Sequence, residues 1–288
     1  MKSAPRLRTL LVLGRMADLP TVWSNALAGW LLGGGGNFWK LPFLLLGLTA
    51  LYTGGAFLND AFDADSDRQR RPERPVPSGK ISAQLVWRAG FGQLVAGIFL
   101  LLFCSQLSAG AAILLALFIL LYNFCHQFFN AAPWLLGVCR FWNYVIASAA
   151  GVWGLNGWPI LCGLALAFYT AGLGYTCQRK SNQTLIPRWP IGLLGAPILL
   201  ALTMNAGGFR LRAMWISVAV LAWLVACLRK IFLGGGGNPG LISANLLAGM
   251  VLMDWLAVAP QMALWVSALI FVALLGLTKW LQKTAPAS

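Results

Sequence analysis

The chain has 288 residues, of which 59% are hydrophobic and 10% are charged, and its mean hydropathy is +0.74. Soluble domains carry about 25% charged residues, so this composition excludes a soluble globular protein and predicts an all-α, polytopic membrane protein. The net charge of +14 does not predict a nucleic-acid partner, because the basic residues lie in short loops between apolar runs, as the positive-inside rule expects of a membrane protein.

Ten apolar segments approach the length of about 20 residues that a membrane-spanning helix needs. They are residues 14–35, 41–59, 83–104, 108–126, 133–154, 158–177, 190–206, 212–231, 241–258 and 262–281. The number falls to nine if one of the late segments is short or lies along the surface. We therefore predict a helical bundle of nine or ten spans, formed by a single transmembrane domain over residues 1–288.

Lys and Arg concentrate in alternate loops of this arrangement. The basic side carries the N-terminus and the two longest polar loops, residues 60–82 and 178–189. The positive-inside rule predicts that this side is cytoplasmic. We expect the protein to lie in the cell (inner) membrane. Within the first span, we expect Arg15 and Asp18 to form a structural ion pair, since they are three residues apart on a helix.

The loop after the second predicted helix holds five of the seven acidic residues: Asp60, Asp63, Asp65, Asp67 and Glu73. If the helix continues past Asn59, Asp60, Asp63 and Asp67 fall within about 60° of one another on one face, whereas Asp65 points away. Carboxylates on one stripe repel each other unless a cation joins them, and hard oxygen ligands favour Mg²⁺. We therefore predict a Mg²⁺ site at this stripe.

Two other interpretations compete for the acidic stretch. A calcium-binding loop beginning at Asp63 would need Gly at its sixth position and Glu at its twelfth, and the chain has Arg68 and Arg74 there. A solvated loop of paired charges remains an alternative. The segment that follows, RRPERPVPSGK, favours a binding site, because its prolines stiffen the chain and would hold Arg71, Arg74 and Lys80 near the carboxylates, as a diphosphate ligand requires.

These residues resemble the first aspartate-rich motif of the UbiA superfamily of intramembrane prenyltransferases. The similarity lies in Asn59-Asp60-x-x-Asp63-x-x-x-Asp67 followed by Arg74-Pro75-x-Pro77-Ser78-Gly79. The resemblance implies helices around a central cavity and a Mg²⁺-dependent transfer of an isoprenyl group. The donor would be a prenyl diphosphate, and the acceptor a lipophilic, typically aromatic molecule in the bilayer.

A second stretch is similar to the GxCRxxN segment of the EboC-like branch of that superfamily. It comprises Gly137, Cys139, Arg140 and Asn143. Arg140 lies about two turns inside the fifth predicted span, with Asn143 on the same face. We expect both side chains to line the cavity and bind the diphosphate; snorkelling of Arg140 to the cytoplasmic side is the alternative.

The chain departs from the superfamily after the sixth helix, where members carry a second acidic motif. The corresponding stretch, Tyr169–Gln183, contains no Asp or Glu. Arg179 and Lys180 stand there instead, either as cations that bind the diphosphate or as ordinary positive-inside charges. This departure leaves a catalytically impaired membrane protein, which binds a prenyl ligand and assists a pathway, as the alternative function. For Asp254, in the middle of the ninth span, the sequence indicates no partner.

Overall fold

The computed structural model describes residues 7–177, 189–232, 239–259 and 262–284. In these ranges the regular structure is entirely helical, as predicted. The helices are α1 (Leu7–Leu13), α2 (Leu19–Leu32), α3 (Lys40–Phe62), α4 (Ala64–Arg70), α5 (Ala83–Leu102), α6 (Gln106–Cys125), α7 (Ala132–Ala150), α8 (Gly157–Cys177), α9 (Trp189–Leu194), α10 (Ala196–Met204), α11 (Gly207–Phe232), α12 (Pro239–Val258) and α13 (Leu264–Thr284).

Seven of the described helices are long and apolar enough to cross a membrane: α3, α5, α6, α8, α11, α12 and α13. The chain is therefore a multi-pass membrane protein. The predicted span 190–206 forms two short helices, α9 and α10, with Gly195 between them. Helix α7 has 19 residues but carries Arg140 and Asn143. The expected total of nine or ten spans, like the single domain over residues 1–288, stays a prediction.

The first predicted span is broken near its start. Helix α1 ends at Leu13, and Arg15 has φ 46° and ψ 45°, the left-handed conformation that costs a non-glycine residue about 1–2 kcal/mol. A short 3₁₀ turn, Met16–Asp18, follows, and α2 begins with Pro20 in its first turn, where a missing N–H is tolerated. The break turns the Arg15 side chain out of the helical register.

Two large apolar cores hold the bundle together. One is formed mainly by side chains of α2, α3, α5, α6 and α7. The other is formed mainly by α8, α10, α11, α12 and α13. Helices α2 and α7 contribute to both cores; on α7, Tyr144 belongs to the second core and the next residue, Val145, to the first. Helices α2 and α7 therefore lie at the junction of the two cores.

Large apolar side chains cover the outside of the bundle. On α11, Trp215, Val218, Leu221 and Val225 recur every three or four residues, and each is more than half exposed. Such a stripe would be unstable in water, and it suits a helix whose outer face contacts lipid.

Helices α7 and α8 approach each other closely at Gly137, the first residue of the GxCRxxN segment. A Cβ atom added there would lie 2.5 Å from the carbonyl oxygen of Ala167 on α8. This distance is too short for a carbon–oxygen contact, and the obstacle is backbone, which cannot rotate away. Gly137 is therefore required by packing, as small residues are at many helix contacts in membranes.

Substituting Gly137 by Ala should lower the thermal stability of the protein. Overpacking at a helix contact typically costs about 1–3 kcal/mol, which exceeds the gain of up to about 1 kcal/mol from better helix propensity. Gly92 on α5 is the matched control, because a Cβ there meets no atom within 4 Å. Thermal melts of the purified variants should show a lower Tm for G137A and an equal or higher Tm for G92A. An unchanged G137A Tm would contradict the close approach.

Candidate active site

The acidic stretch continues the helical course of α3 past its end. The N–H of Asp63 bonds to the carbonyl of Asn59, that of Asp67 to Asp63, and that of Arg71 to Asp67, so the i→i−4 pattern persists into α4. Asp60 and Asp67 are consequently on one face, and both are buried. Asp65 is exposed and pairs with Arg68, in agreement with the prediction that it points away from the face of Asp60 and Asp67.

Arg74 joins the two buried carboxylates. Its Nη1 atom donates to Oδ2 of Asp67 at 2.7 Å and lies 3.7 Å from Oδ1 of Asp60. All three side chains are at least 90% buried, so the cluster is shielded from screening by solvent. We call Asp60, Asp67 and Arg74 the ion cluster.

The proline-rich loop positions Arg74 by burying apolar neighbours. Val76 and Ile81 pack with Leu13, Phe57 and other side chains of α1, α3, α4 and α5 in a small apolar core. Gly79, with φ 72°, supplies the left-handed turn. Ser82 then caps α5 by accepting from the N–H of Leu85. The loop is thereby anchored directly after Arg74.

Asp63 has different partners from Asp60 and Asp67. Nε2 of His126 lies 3.0 Å from Oδ1 of Asp63, and the Gln127 amide donates to the same atom. Nδ1 of His126 faces the carbonyl of Asn123, so both ring nitrogens have acceptors, which suits the protonated imidazole. The predicted acidic face is thus divided, because Asp63 pairs with His126 whereas Asp60 and Asp67 pair with Arg74.

The pKa values of this pair move apart. Partial burial raises the pKa of Asp63, but the bonds from His126 and Gln127, with the positive charges of His126 and Arg74, outweigh it and hold that pKa below its ordinary value. Burial lowers the pKa of His126, but the bond to the Asp63 carboxylate and its charge raise it to a net value above the ordinary one. Both shifts favour the charged forms.

Arg15 contacts the motif from the break that follows α1. Its guanidinium donates to Oδ1 of Asn59, and the Asn59 amide in turn donates to Asn123 at 3.3 Å. The expected ion pair of Arg15 with Asp18 is wrong: these two described residues form none, and Asp18 accepts from Gln282 instead. The break at Arg15 is the physical reason, because the i, i+3 geometry of a continuous helix is lost there.

A cavity of about 390 Å³ lies beside Asn59, between α3, α6, α7, α8 and α12. Most of its wall is apolar, including Leu115, Ile119 and Met250. Polar or charged groups also line it: Arg15, Asp18, Asn59, Asn123, Arg140, Asn143, Thr170 and Ser243. An apolar cavity with a few converging polar groups is the usual form of a ligand site.

The predicted cavity residues Arg140 and Asn143 are both buried on α7 and line this cavity. The Arg140 guanidinium donates to Asn25 at 2.9 Å and to Thr21 at 3.1 Å, and it lies 5.8 Å from the ring centre of Tyr52. Arg140 therefore faces the bundle interior, and the snorkelling alternative is wrong.

Other predicted site residues lie outside this assembly. Arg71 and Lys80 are exposed and are not part of the ion cluster. Arg179 and Lys180 lie outside the described residues. The structure thus brings together Asp60, Asp67 and Arg74, and separately brings Asn59, Arg140 and Asn143 to the cavity wall.

The donor chemistry of the ion cluster fits Mg²⁺. Within the described ranges, no group of three or more His, Cys, Asp or Glu side chains could hold a metal ion. Mg²⁺ nevertheless needs only one or two protein carboxylates, since waters and substrate phosphates complete its shell. Asp60 and Asp67 already converge on one cationic atom, and their oxygens are the hard ligands that this ion prefers.

The model of the UbiA prenyltransferase family matches residues 19–181, which include the acidic stretch, the proline-rich loop and the GxCRxxN segment. The match covers more than half of the chain. This chain belongs to the UbiA prenyltransferase family. The finer resemblance to the EboC-like branch stays a prediction.

Two UbiA relatives share part of their length with this chain. The digeranylgeranylglyceryl phosphate synthase of Methanothrix thermoacetophila is 37% identical over 97 residues, which are 31% of this chain and 36% of the relative. The 4-hydroxybenzoate octaprenyltransferase of Legionella pneumophila is 32% identical over 139 residues, 48% of each chain. The matches thus span between about a third and a half of these curated relatives.

The UbiA fold itself is supported by a solved structure. The UbiA homolog from Archaeoglobus fulgidus bound to GPP and Mg²⁺ superposes with a TM-score of 0.51 at 15% identity, covering 96% of this chain and 99% of that one. At this identity the likeness concerns the fold. Mg²⁺ and GPP are ligands of that homolog.

The sequence analysis missed several residues that contact the candidate site. It pairs Arg15 with Asp18 and assigns no role to Asn25, Asn123, His126 and Gln127. The available signal was a pair of polar residues, Asn123 and His126, at the end of an apolar helix, but their partners on another helix cannot be inferred from spacing.

Proposed function

We propose that this chain transfers an isoprenyl group from a prenyl diphosphate to a lipophilic acceptor within the membrane. The observation that carries the proposal is the link between the ion cluster and the 390 Å³ cavity. Asn59, the residue before Asp60, lines this cavity, and so does Arg15, whose charge interacts with that of Asp60. We infer that the ion cluster would bind the diphosphate while the apolar cavity holds the prenyl chain. Membership in the UbiA family supports the same reaction.

In this reaction the allylic C–O bond breaks and its electron pair leaves with the diphosphate. The acceptor supplies the electrons of the new bond and loses a proton. The chain's part is to stabilise charge on the leaving diphosphate while excluding water from the allylic cation. Arg15 and Arg140 line the cavity as cations, and Tyr52 and Tyr122 offer aromatic faces in the same wall.

Mg²⁺ is the proposed cofactor, with Asp60 and Asp67 holding it and Asn59 beside them. When bound, the ion would neutralise the diphosphate and make it a better leaving group. Asp63 remains a predicted ligand, but its bonds to His126 and Gln127 would have to open.

Arg74 is proposed to pair with diphosphate oxygens as well as with the carboxylates. Arg71, Lys80, Arg179 and Lys180 remain proposed contributors to diphosphate binding from the loops.

The acceptor is proposed to be an aromatic molecule dissolved in the bilayer. The names of the two relatives point to different products, a glyceryl phosphate lipid and a prenylated hydroxybenzoate. A competition between the two acceptor classes would distinguish them.

For location, we propose the cell (inner) membrane. The distribution of Lys and Arg supports an orientation with the N-terminus and the loop 60–82 on the cytoplasmic side.

The test is pyrophosphate release from geranyl diphosphate by the purified chain in lipid nanodiscs, with an acceptor of either class. We expect release that needs both Mg²⁺ and an acceptor. Saturable binding of geranyl diphosphate without release, with every acceptor supplied, would reject the transferase and favour the ligand-binding alternative.

A further inference from the structure

Asp254, about one turn from the C-terminal end of α12, is fully buried and accepts hydrogen bonds from three side chains. Ser24 and Tyr144 donate to it at 2.5 Å, and the Asn25 amide donates at 2.7 Å. These donors come from α2 and α7, the two helices at the junction of the cores. A carboxylate so far inside a membrane bundle is costly and marks a functional position by default.

The Asn25 amide connects Asp254 to the cavity. Because its Nδ2 atom faces Asp254, its Oδ1 atom must face the other way, where it accepts from Nη1 of Arg140. The carboxylate of Asp254 thus fixes which end of the amide Arg140 meets. Thr21 accepts from the second guanidinium nitrogen and completes the orientation.

The side chain of Asn25 lies between the Asp254 carboxylate and the Arg140 guanidinium. Arg74 is in direct contact with carboxylates, whereas Arg140 donates to a neutral amide and to a hydroxyl. Asp18 also lines the cavity and acts on Arg140 through space, but it accepts its hydrogen bond from Gln282. The charge of Arg140 is therefore compensated at a distance and remains available to a ligand oxyanion.

We propose that Asp254 is a positioning residue that acts through Asn25 to hold Arg140 as an oxyanion-binding arm of the cavity. The ligand class, a diphosphate, rests on the proposed function. Asp254 itself would not touch the ligand. Its separation from Arg140 matters as much as its charge, because a carboxylate in direct contact would neutralise the arm.

An exchange of the two side chains tests this directly. In the double variant N25D/D254N, the composition and total charge are unchanged. The amide introduced at position 254 can donate one N–H to the carboxylate introduced at position 25 and the other to the Ser24 hydroxyl, while its oxygen accepts from Tyr144. The network therefore stays satisfied, but the carboxylate now contacts Arg140.

Isothermal titration of inorganic pyrophosphate, in Mg²⁺-containing buffer, measures the consequence. We expect the exchange to weaken pyrophosphate binding about tenfold, with a Tm close to that of the wild type. R140Q should weaken binding similarly, and adding the exchange to R140Q should have no further effect, since coupled residues are not additive. S267A is the control. Ser267 accepts a hydrogen bond from Trp255, the residue that follows Asp254 on α12, and this contact lies away from the cavity. The substitution should leave pyrophosphate binding unchanged.

Wild-type affinity in the exchange variant would overturn the proposal, as would a loss that persists in the R140Q background. If D60N and D67N still weaken pyrophosphate binding in that case, the proposed function survives and only the role of Asp254 fails. Absence of pyrophosphate binding by the wild type would overturn both. A Tm loss in the exchange variant as large as that of D254L would also contradict the proposal, because the role of Asp254 would then be structural.

Discussion

Asp67→Asn and Asp60→Asn should each lower the rate of Mg²⁺-dependent pyrophosphate release by about 10²–10³-fold, the usual effect of removing one group that stabilises transition-state charge. Asn keeps the size of Asp but removes the charge that would hold the cation. Arg74 keeps one carboxylate partner in each variant, so the fold should persist. The measurement is kcat in nanodiscs, together with Tm to verify folding.

Asp65→Asn is the matched control for both variants. Its side chain is 92% exposed, and its partner Arg68 is exposed as well. The substitution is chemically the same and lies within the same helix as Asp67, so it reports any general effect of losing one negative charge from the loop. We expect kcat within a factor of about two of the wild type, since exposed pairs contribute little. A comparable loss in D65N and D67N would refute the assignment of Asp60 and Asp67.

The sequence was sufficient for the helical class, for most helix bounds and for the face that carries Asp60 and Asp67. These features depend on hydropathy and on helical period, which are local properties. The acidic face was nevertheless expected to act as one unit. Asp63 separates from it because His126 and Gln127, more than 60 residues away, reach the same carboxylate.

Contacts between distant segments explain the other differences. The pairing of Arg15 with Asn59 follows from a left-handed break in the first helix, and arginine is not a residue type that predicts such a conformation. Asp254 had no evident partner because its donors, Ser24, Asn25 and Tyr144, are more than 100 residues away. Spacing along one helix can predict a shared face, but the neighbour of that face depends on how helices pack.

Arg74→Gln should cost about 3–5 kcal/mol of stability, because it leaves two buried carboxylates without the cation that they share. The control is Arg68→Gln, which breaks an exposed pair and should cost less than about 1 kcal/mol. Thermal or denaturant unfolding of the purified variants in detergent gives both values. Equal losses in the two variants would contradict the burial of the ion cluster.

The same variant also tests whether the cluster can hold a metal. With Arg74 removed, Asp60 and Asp67 repel each other in a poorly screened site, and Mg²⁺ would restore the missing positive charge. A ligand that binds the folded state stabilises it in proportion to the logarithm of its concentration, so Tm of R74Q should rise with added Mg²⁺, and more steeply than that of the wild type. The additional substitution D67N should abolish this rise. If Mg²⁺ leaves the R74Q melt unchanged, the two carboxylates do not form a metal site, and diphosphate recognition would fall to the cations of the cavity wall, Arg15 and Arg140.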